Sequence, residues 1–218
     1  MAGLRLSKRM SAAQHHAEFP KEMDMRLIGM LDSPYVRRTA ISMRLMGLDF
    51  ELAQISVFRG MEEFRRINPV LKVPTLLADD GTVLMDSTLI LDFAQRLAGK
   101  SLMPSEDYAR ALRLIGLALA ACEKSVQIYY ERTLRPEEKR HQPWLDRVSG
   151  QLLAAYGALE REIGDWPSAP LQPDITVAVA WHFTRRTVPD VVSAAAHPRL
   201  AAYSAQAEIQ PLFKEFAF

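Results

Sequence analysis

The stretch MRLIGMLDSPYVRR, residues 25–38, decides how the chain is read. Met25 to Met30 is a short, mostly apolar run that predicts a first strand. Ser33 followed by Pro34 is a helix start. A serine oxygen accepts from the unpaired amides of a first turn, and proline lacks only an N–H that the first helical position leaves unused. Val36, Ala40, Met43 and Gly47 then fall on one face, and Gly47 can end the helix. Phe50 to Ile55 predicts a second strand. A strand, a helix and a strand in so short a span imply a parallel pair joined by a crossover helix.

Further along, Met61 to Ile67 predicts a short helix. Val73-Pro74 leads a third strand, Thr75 to Ala78. Asp80-Gly81 signals a tight hairpin, with Val83 to Met85 returning. Asp86-Ser87 precedes a helix whose apolar positions Leu89, Ile90, Phe93, Ala94 and Leu97 recur at helical spacing, and Gly99 stops it. The order is βαβ, short helix, ββα, over residues 25–100. Residues 101–106 read as a linker. Over 107–218 the pattern becomes helix only. Tyr108, Leu112, Ile115, Leu119, Cys122, Val126 and Tyr129 mark one long amphipathic helix. A second runs from about Glu137 to Ile163, and the nearly all-apolar Asp174 to Phe183 predicts a buried central helix.

Composition narrows the function classes. A formal net charge of +1 gives no strong field toward nucleic acid or a membrane surface. The single cysteine, Cys122, excludes an intrachain disulfide, a cysteine-rich metal site and a CxxC redox pair, and suits a reducing, cytoplasmic setting. No apolar run approaches the roughly 20 residues a membrane helix needs. Residues 1–24 are polar, without a steady period, and are expected to be a poorly ordered extension. His15-His16 is too short a tract for a metal site.

Three segments carry a family resemblance: MLDSPYVRR (30–38), NPVLKVPTL (68–76) and MDSTLILDF (85–93). In that order and spacing, followed by an all-helical half, the chain resembles the glutathione S-transferases, and SPYVRR is similar to their serine-type members, plant tau-type and bacterial. The resemblance implies a thioredoxin-like α/β domain that binds glutathione, then an all-helical domain that helps hold a small electrophile. It implies glutathione as co-substrate, no tightly bound cofactor and a homodimer. A non-catalytic protein-interaction module of the same fold is the alternative.

The resemblance also assigns residues. Ser33 would donate to the glutathione sulfur and stabilise the thiolate; read from its own chemistry, it is equally a plain N-cap. Tyr35 is the second candidate donor. Val73 would pair its main chain with the extended peptide ahead of a cis Pro74; without the resemblance, Pro74 is an ordinary trans proline opening a strand. Many relatives carry glycine where this chain has Leu71. Ser87 would cap the helix and, with nearby amides, hold the γ-glutamyl carboxylate. Asp86 would pair with the α-amino group, one methylene shorter than the usual glutamate. Lys72 and Arg59 are either partners for the glycyl carboxylate or solvated charges. Tyr129, Tyr130 and Arg132, with Tyr35, are candidates for the second-substrate pocket or for helix packing. Asp174 matches the acidic half of the family's capping box, but Leu171 cannot supply the other half. Cys122 and His182 read as core residues.

Overall fold

The computed structural model describes residues 25–218. The reading of 1–24 as an extension lies outside the described residues. Four strands form one sheet: β1 (Arg26–Ile28), β2 (Glu51–Ala53), β3 (Thr75–Leu77) and β4 (Val83–Met85), in the order β2-β1-β3-β4. β1 and β2 are parallel, with Leu27 opposite Leu52; β3 runs antiparallel to both β1 and β4. The parallel pair is joined through α1 (Pro34–Met46), which starts at Ser33 and ends on Gly47 at φ 85, a left-handed position glycine takes without strain. α2 (Met61–Ile67) precedes β3, and α3 (Ser87–Ala98) follows β4. The expected mixed sheet with its helices is therefore present, though the strands are shorter than their apolar runs.

The rest is helical: α4 (Tyr108–Thr133), α5 (Gln142–Glu162), α6 (Gln172–Thr187), α7 (Pro198–Glu208) and α8 (Pro211–Glu215). Two boundaries correct the sequence reading. A single 3-10 turn, Glu137–Lys139, stands apart from α5, which begins only at Gln142 with Pro143 in its first turn. Proline has no N–H for the ladder and crowds the preceding turn, so it sits at a helix start. α6 likewise begins at Gln172, with Pro173 in its first turn, and runs on to Thr187. α6 is buried on most sides, as its apolar sequence requires. The Asp174 carboxylate accepts from the Leu171 amide at 2.8 Å and from the Tyr203 hydroxyl at 2.6 Å. Leu171 returns no bond, so only half of the capping box exists, with Tyr203 taking up the second oxygen.

α4 packs against α5 and α6, and α6 also packs against α1. Within the bundle the buried Tyr156 hydroxyl lies 2.9 Å from the Ala180 carbonyl and 2.7 Å from Thr184 Oγ1, so its polar tip is satisfied. The seam between α1 and the helical part is polar as well. The fully buried Arg37 guanidinium pairs with both Glu208 carboxylate oxygens at 2.7 Å, and donates to the Phe216 carbonyl at 2.9 Å and the Phe213 carbonyl at 3.2 Å. The ring of Phe213 lies 5.5 Å and that of Phe218 5.4 Å from the same cation. One side chain of α1 thus anchors α7, α8 and the chain end.

Breaking this pair by Arg37→Ala should lower stability by about 3 kcal/mol, because Glu208 and two carbonyls lose their donor. Urea unfolding with an unchanged slope would register it as a lower midpoint.

Candidate functional site

The site begins where β1 runs into α1. Gly29 has φ +141, and a Cβ there would stand 2.6 Å from Val36 Cγ2 and 3.1 Å from Val73 Cγ1. Only glycine lets the first turn of α1 and the loop before β3 approach so closely. Ser33 caps α1, its Oγ accepting from the Val36 amide at 3.4 Å. Because Oγ only accepts in that bond, the hydroxyl hydrogen is left free to donate.

Across from it, the Val73-Pro74 peptide is cis. β3 starts only at Thr75, and no hydrogen bond to the Val73 amide or carbonyl occurs among the described residues. The loop before it is fixed. Thr75 Oγ1 donates to the Lys72 carbonyl at 2.7 Å, and the buried Asn68 amide donates to Thr75 Oγ1 at 2.8 Å. Leu71 lies at φ 56, the left-handed region that glycine occupies freely.

A cavity of about 510 Å³ brings together Tyr35, Lys72, Val73, Asp86, Ser87 and Thr88 from the sheet part, with Gly116, Leu119, Ala120 and Glu123 from α4. Ser33 is outside that lining, at the head of the helix that carries Tyr35 into it. At the cavity floor one expectation is corrected. Asp86, not Ser87, caps α3: Asp86 sits at φ 72 and its Oδ1 accepts from the Thr88 amide at 2.9 Å. Ser87 is the first residue of the helix. Its hydroxyl is drawn instead to Arg38, whose Nη1 donates to Ser87 Oγ at 2.9 Å and to Thr88 Oγ1 at 3.3 Å. Arg38 Nε donates to Thr176 Oγ1 of α6 at 3.2 Å.

Arg38 is only 2% exposed, and no carboxylate lies within salt-bridge distance of it among the described residues. Burial pulls its guanidinium down to about 10, and the nearby Cys122, Asp86 and Tyr35 act in the opposite direction, so it remains a cation at neutral pH. A positive charge therefore backs the N-terminus of α3, where the unpaired helix amides already favour an anion. Lys72 adds a second cation, with its Nζ 3.8 Å from Asp86 Oδ2. Burial, together with the negative groups around it, holds the Tyr35 phenol far above its ordinary range, so it is a neutral donor.

The other sequence candidates lie apart from this cavity. Arg59 is exposed on the turn before α2. Arg132 is held by both oxygens of Asp190, at 3.0 and 2.9 Å. Tyr130 meets Phe58 edge-on, and Tyr129 tilts against Tyr130. His182 has its Nδ1 3.3 Å from Glu208 Oε1, and burial lowers its proton affinity. Arg38 and Glu123 were not singled out in the sequence. An Arg-Arg pair in a helix reads as a solvated face, and nothing local marks either residue as turned inward.

Comparison with known proteins bears on the fold and the family. The profile "Glutathione S-transferase, N-terminal domain" matches residues 27–101, and "Glutathione S-transferase, C-terminal domain" matches residues 142–206. The chain belongs to the glutathione S-transferase superfamily. It is 28% identical over 95 residues to glutathione S-transferase U4 of Arabidopsis thaliana, covering 43% of this chain and 42% of that one. It is 28% identical over 139 residues to maleylacetoacetate isomerase of Pseudomonas aeruginosa, covering 59% and 64%. The chain thus aligns with less than two thirds of the length of these curated relatives. A glutathione S-transferase of Methylobacterium radiotolerans, solved in complex with glutathione sulfonate, superposes with a TM-score of 0.81 at 28% identity, covering 88% of this chain and 93% of that one.

Cys122 stands beside this site but is shut off from it. Burial pushes its thiol up to about 12, against the opposing pull of Arg38. The folded protein should therefore resist iodoacetamide at mildly alkaline pH and react only in denaturant. A thiol that ionises more readily unfolded contributes its full stability below the ordinary thiol range. That contribution should fall as pH rises from there toward about 12, seen as a declining urea midpoint.

Proposed function

We propose that this member of the superfamily is a glutathione transferase: it binds glutathione in the cavity beside Val73 and α3, and delivers its thiolate to a small electrophile. The observation that carries this reading is the grouping in one cavity of an unpaired main chain at Val73, a helix N-terminus at Ser87 and the buried Arg38 behind it. An extended peptide with a carboxylate at one end satisfies all three. Val73 pairs with the cysteinyl unit, Ser87 and the α3 amides take the γ-glutamyl carboxylate, and Asp86 takes the α-amino group. Lys72 stands ready for a carboxylate. The close approach of Val36 and Val73 at Gly29 supports a cysteinyl sulfur bound toward Ser33.

In this reading the Ser33 hydroxyl donates to the sulfur, and the end of α1 stabilises the negative charge. The thiol proton passes to solvent, and the thiolate forms a bond to the electrophile. Ser33 attacks nothing. Tyr35, protonated and in the same cavity, is the second candidate donor. The bound glutathione in the Methylobacterium relative's complex is a derivative, the sulfonate, which fits an occupied peptide site of this kind. No helix among the described residues is long and apolar enough to cross a membrane, and no group of metal-ligating side chains occurs among them. With its one free, buried cysteine, we place the protein in the cytoplasm. Exposed Leu89 on α3, and Tyr108 and Leu112 on α4, support a homodimer through these helices.

Ser33→Ala should lower kcat/KM by about 100-fold while leaving the KM for glutathione within roughly three-fold. The ultraviolet absorbance of bound thiolate should titrate at higher pH in the variant. Tyr35→Phe should leave that titration in place; the reverse pattern would transfer the role to Tyr35. Calorimetry with glutathione tests the module alternative, since a pure protein-interaction module would give no binding heat.

A further inference from the structure

A second cavity, of about 450 Å³, lies wholly in the helical part, between the loop after α5 and α7. Its lining shares no residue with the cavity beside Ser87. Trp166 and Tyr203 give it an aromatic wall, and Pro198 and Ala202 extend the apolar surface. That wall has a fixed shape. The Trp166 ring meets Tyr203 with centroids 5.0 Å apart at 71°, and Phe213 at 5.6 Å and 85°. The Tyr203 hydroxyl is committed to Asp174 at 2.6 Å.

Two opposite charges line the same cavity and do not meet: Arg199 of α7 and Asp165 of the loop. The Arg199 guanidinium donates to the carbonyls of Glu160 at 3.1 Å and Arg161 at 3.2 Å, and to that of Ile163. These bonds cap the end of α5 and hold the cation in place without neutralising it. The carboxylates at that end of α5 are committed elsewhere. Glu160 accepts from the Arg199 and Leu200 amides at 2.8 and 2.9 Å, and Glu162 is taken by Arg113 at 2.8 Å. Among the described residues no carboxylate lies within salt-bridge distance of the Arg199 guanidinium, and no cation lies within that distance of Asp165. A pair serving only the fold would close to contact; these two charges stand apart on the lining of one cavity.

We propose that this second cavity is a binding site for a free aromatic α-amino acid. The α-carboxylate pairs with Arg199, the α-ammonium with Asp165, and the ring lies against Trp166. The volume falls within the range of roughly 300–1,000 Å³ that small-molecule sites occupy. Charge complementarity selects the zwitterion. An aromatic acid without the amine leaves Asp165 unpaired and facing another anion, and an aromatic amine without the acid leaves Arg199 unpaired and facing another cation. A zwitterion without a ring leaves the aromatic wall wet. The site does not depend on the transferase reading, since none of its residues belongs to the glutathione cavity.

Calorimetry on the full chain tests it. L-tryptophan should bind once per chain, with an affinity that added glutathione leaves unchanged. Indole-3-propionate, which lacks the ammonium, and tryptamine, which lacks the carboxylate, should each bind at least about five-fold more weakly, and L-alanine should give no heat. Asp165→Asn should weaken L-tryptophan about five-fold and leave indole-3-propionate within about two-fold, a split that a damaged fold would not produce. Ala202→Trp, at an exposed position of α7, should fill the cavity and abolish L-tryptophan binding with the urea midpoint unchanged. The site is overturned by an absence of heat with L-tryptophan, by competition from glutathione, or by an Ala202→Trp variant that still binds. Indole-3-propionate binding as tightly as L-tryptophan, or an indifferent Asp165→Asn, overturns the amino-acid assignment. None of these results touches the transferase reading.

Discussion

Two adjacent arginines of α1 hold this molecule in its working shape. Arg37 turns one way, to Glu208 and the carbonyls of Phe213 and Phe216; Arg38 turns the other, to Ser87, Thr88 and Thr176. Both guanidiniums are buried, and burying a charge costs several kcal/mol unless it is well bonded. The two differ in how that cost is met. Arg37 has a carboxylate and is satisfied within the fold. Among the described residues Arg38 has only hydroxyls, which solvate it without neutralising it. The structural consequence of the first is a helical part locked to α1. The functional consequence of the second is a positive charge left behind a helix N-terminus.

The two roles also explain why α1 is in register with everything around it. Its first turn sits against Gly29 and Val73, where no side chain at position 29 would fit. Its middle is tied to α3 and α6 by Arg38, and to the chain end by Arg37. A shift of α1 along its axis would break all of these together. Ser33, at its head, is thereby placed by contacts made one to two turns away, to partners 49 to 179 residues along the chain.

Much of this was legible in the residues and some was not. Short-range rules found the strands, the cap at Ser33, the stops at Gly47 and Gly99, and the mixed order of elements, because each depends on side chains within a few positions. They missed where α5 begins: the polar run Glu137 to Gln142 carries no apolar stripe, and Pro143 marks a helix start. They also gave the cap of α3 to Ser87. Locally serine and aspartate are both good caps; what decides is Arg38, forty-nine positions away, which occupies the serine hydroxyl and leaves Asp86 to receive the Thr88 amide. The inward turn of Arg37 and Arg38 was hidden for the same reason. Charged residues read as surface until their partners are known, and these partners lie on α3, α6, α7 and α8.

This division bears on how the site acquires its chemistry. The sheet part supplies every group we assign to glutathione, yet Arg38, which sets the charge behind that site, is positioned by Thr176 of α6, and Thr176 in turn donates to the Gln172 carbonyl at 2.7 Å. In that reading the helical part contributes to peptide binding through Arg38 as well as through the α4 residues that line the cavity. A carboxylate arriving at the α3 amides meets a cation already desolvated and fixed, so little reorganisation accompanies its binding. Were Arg38 paired to an internal carboxylate, as Arg37 is, the same pocket would be electrically silent. With no such partner among the described residues, the proposed reading makes an ordinary helix cap a place for an anion.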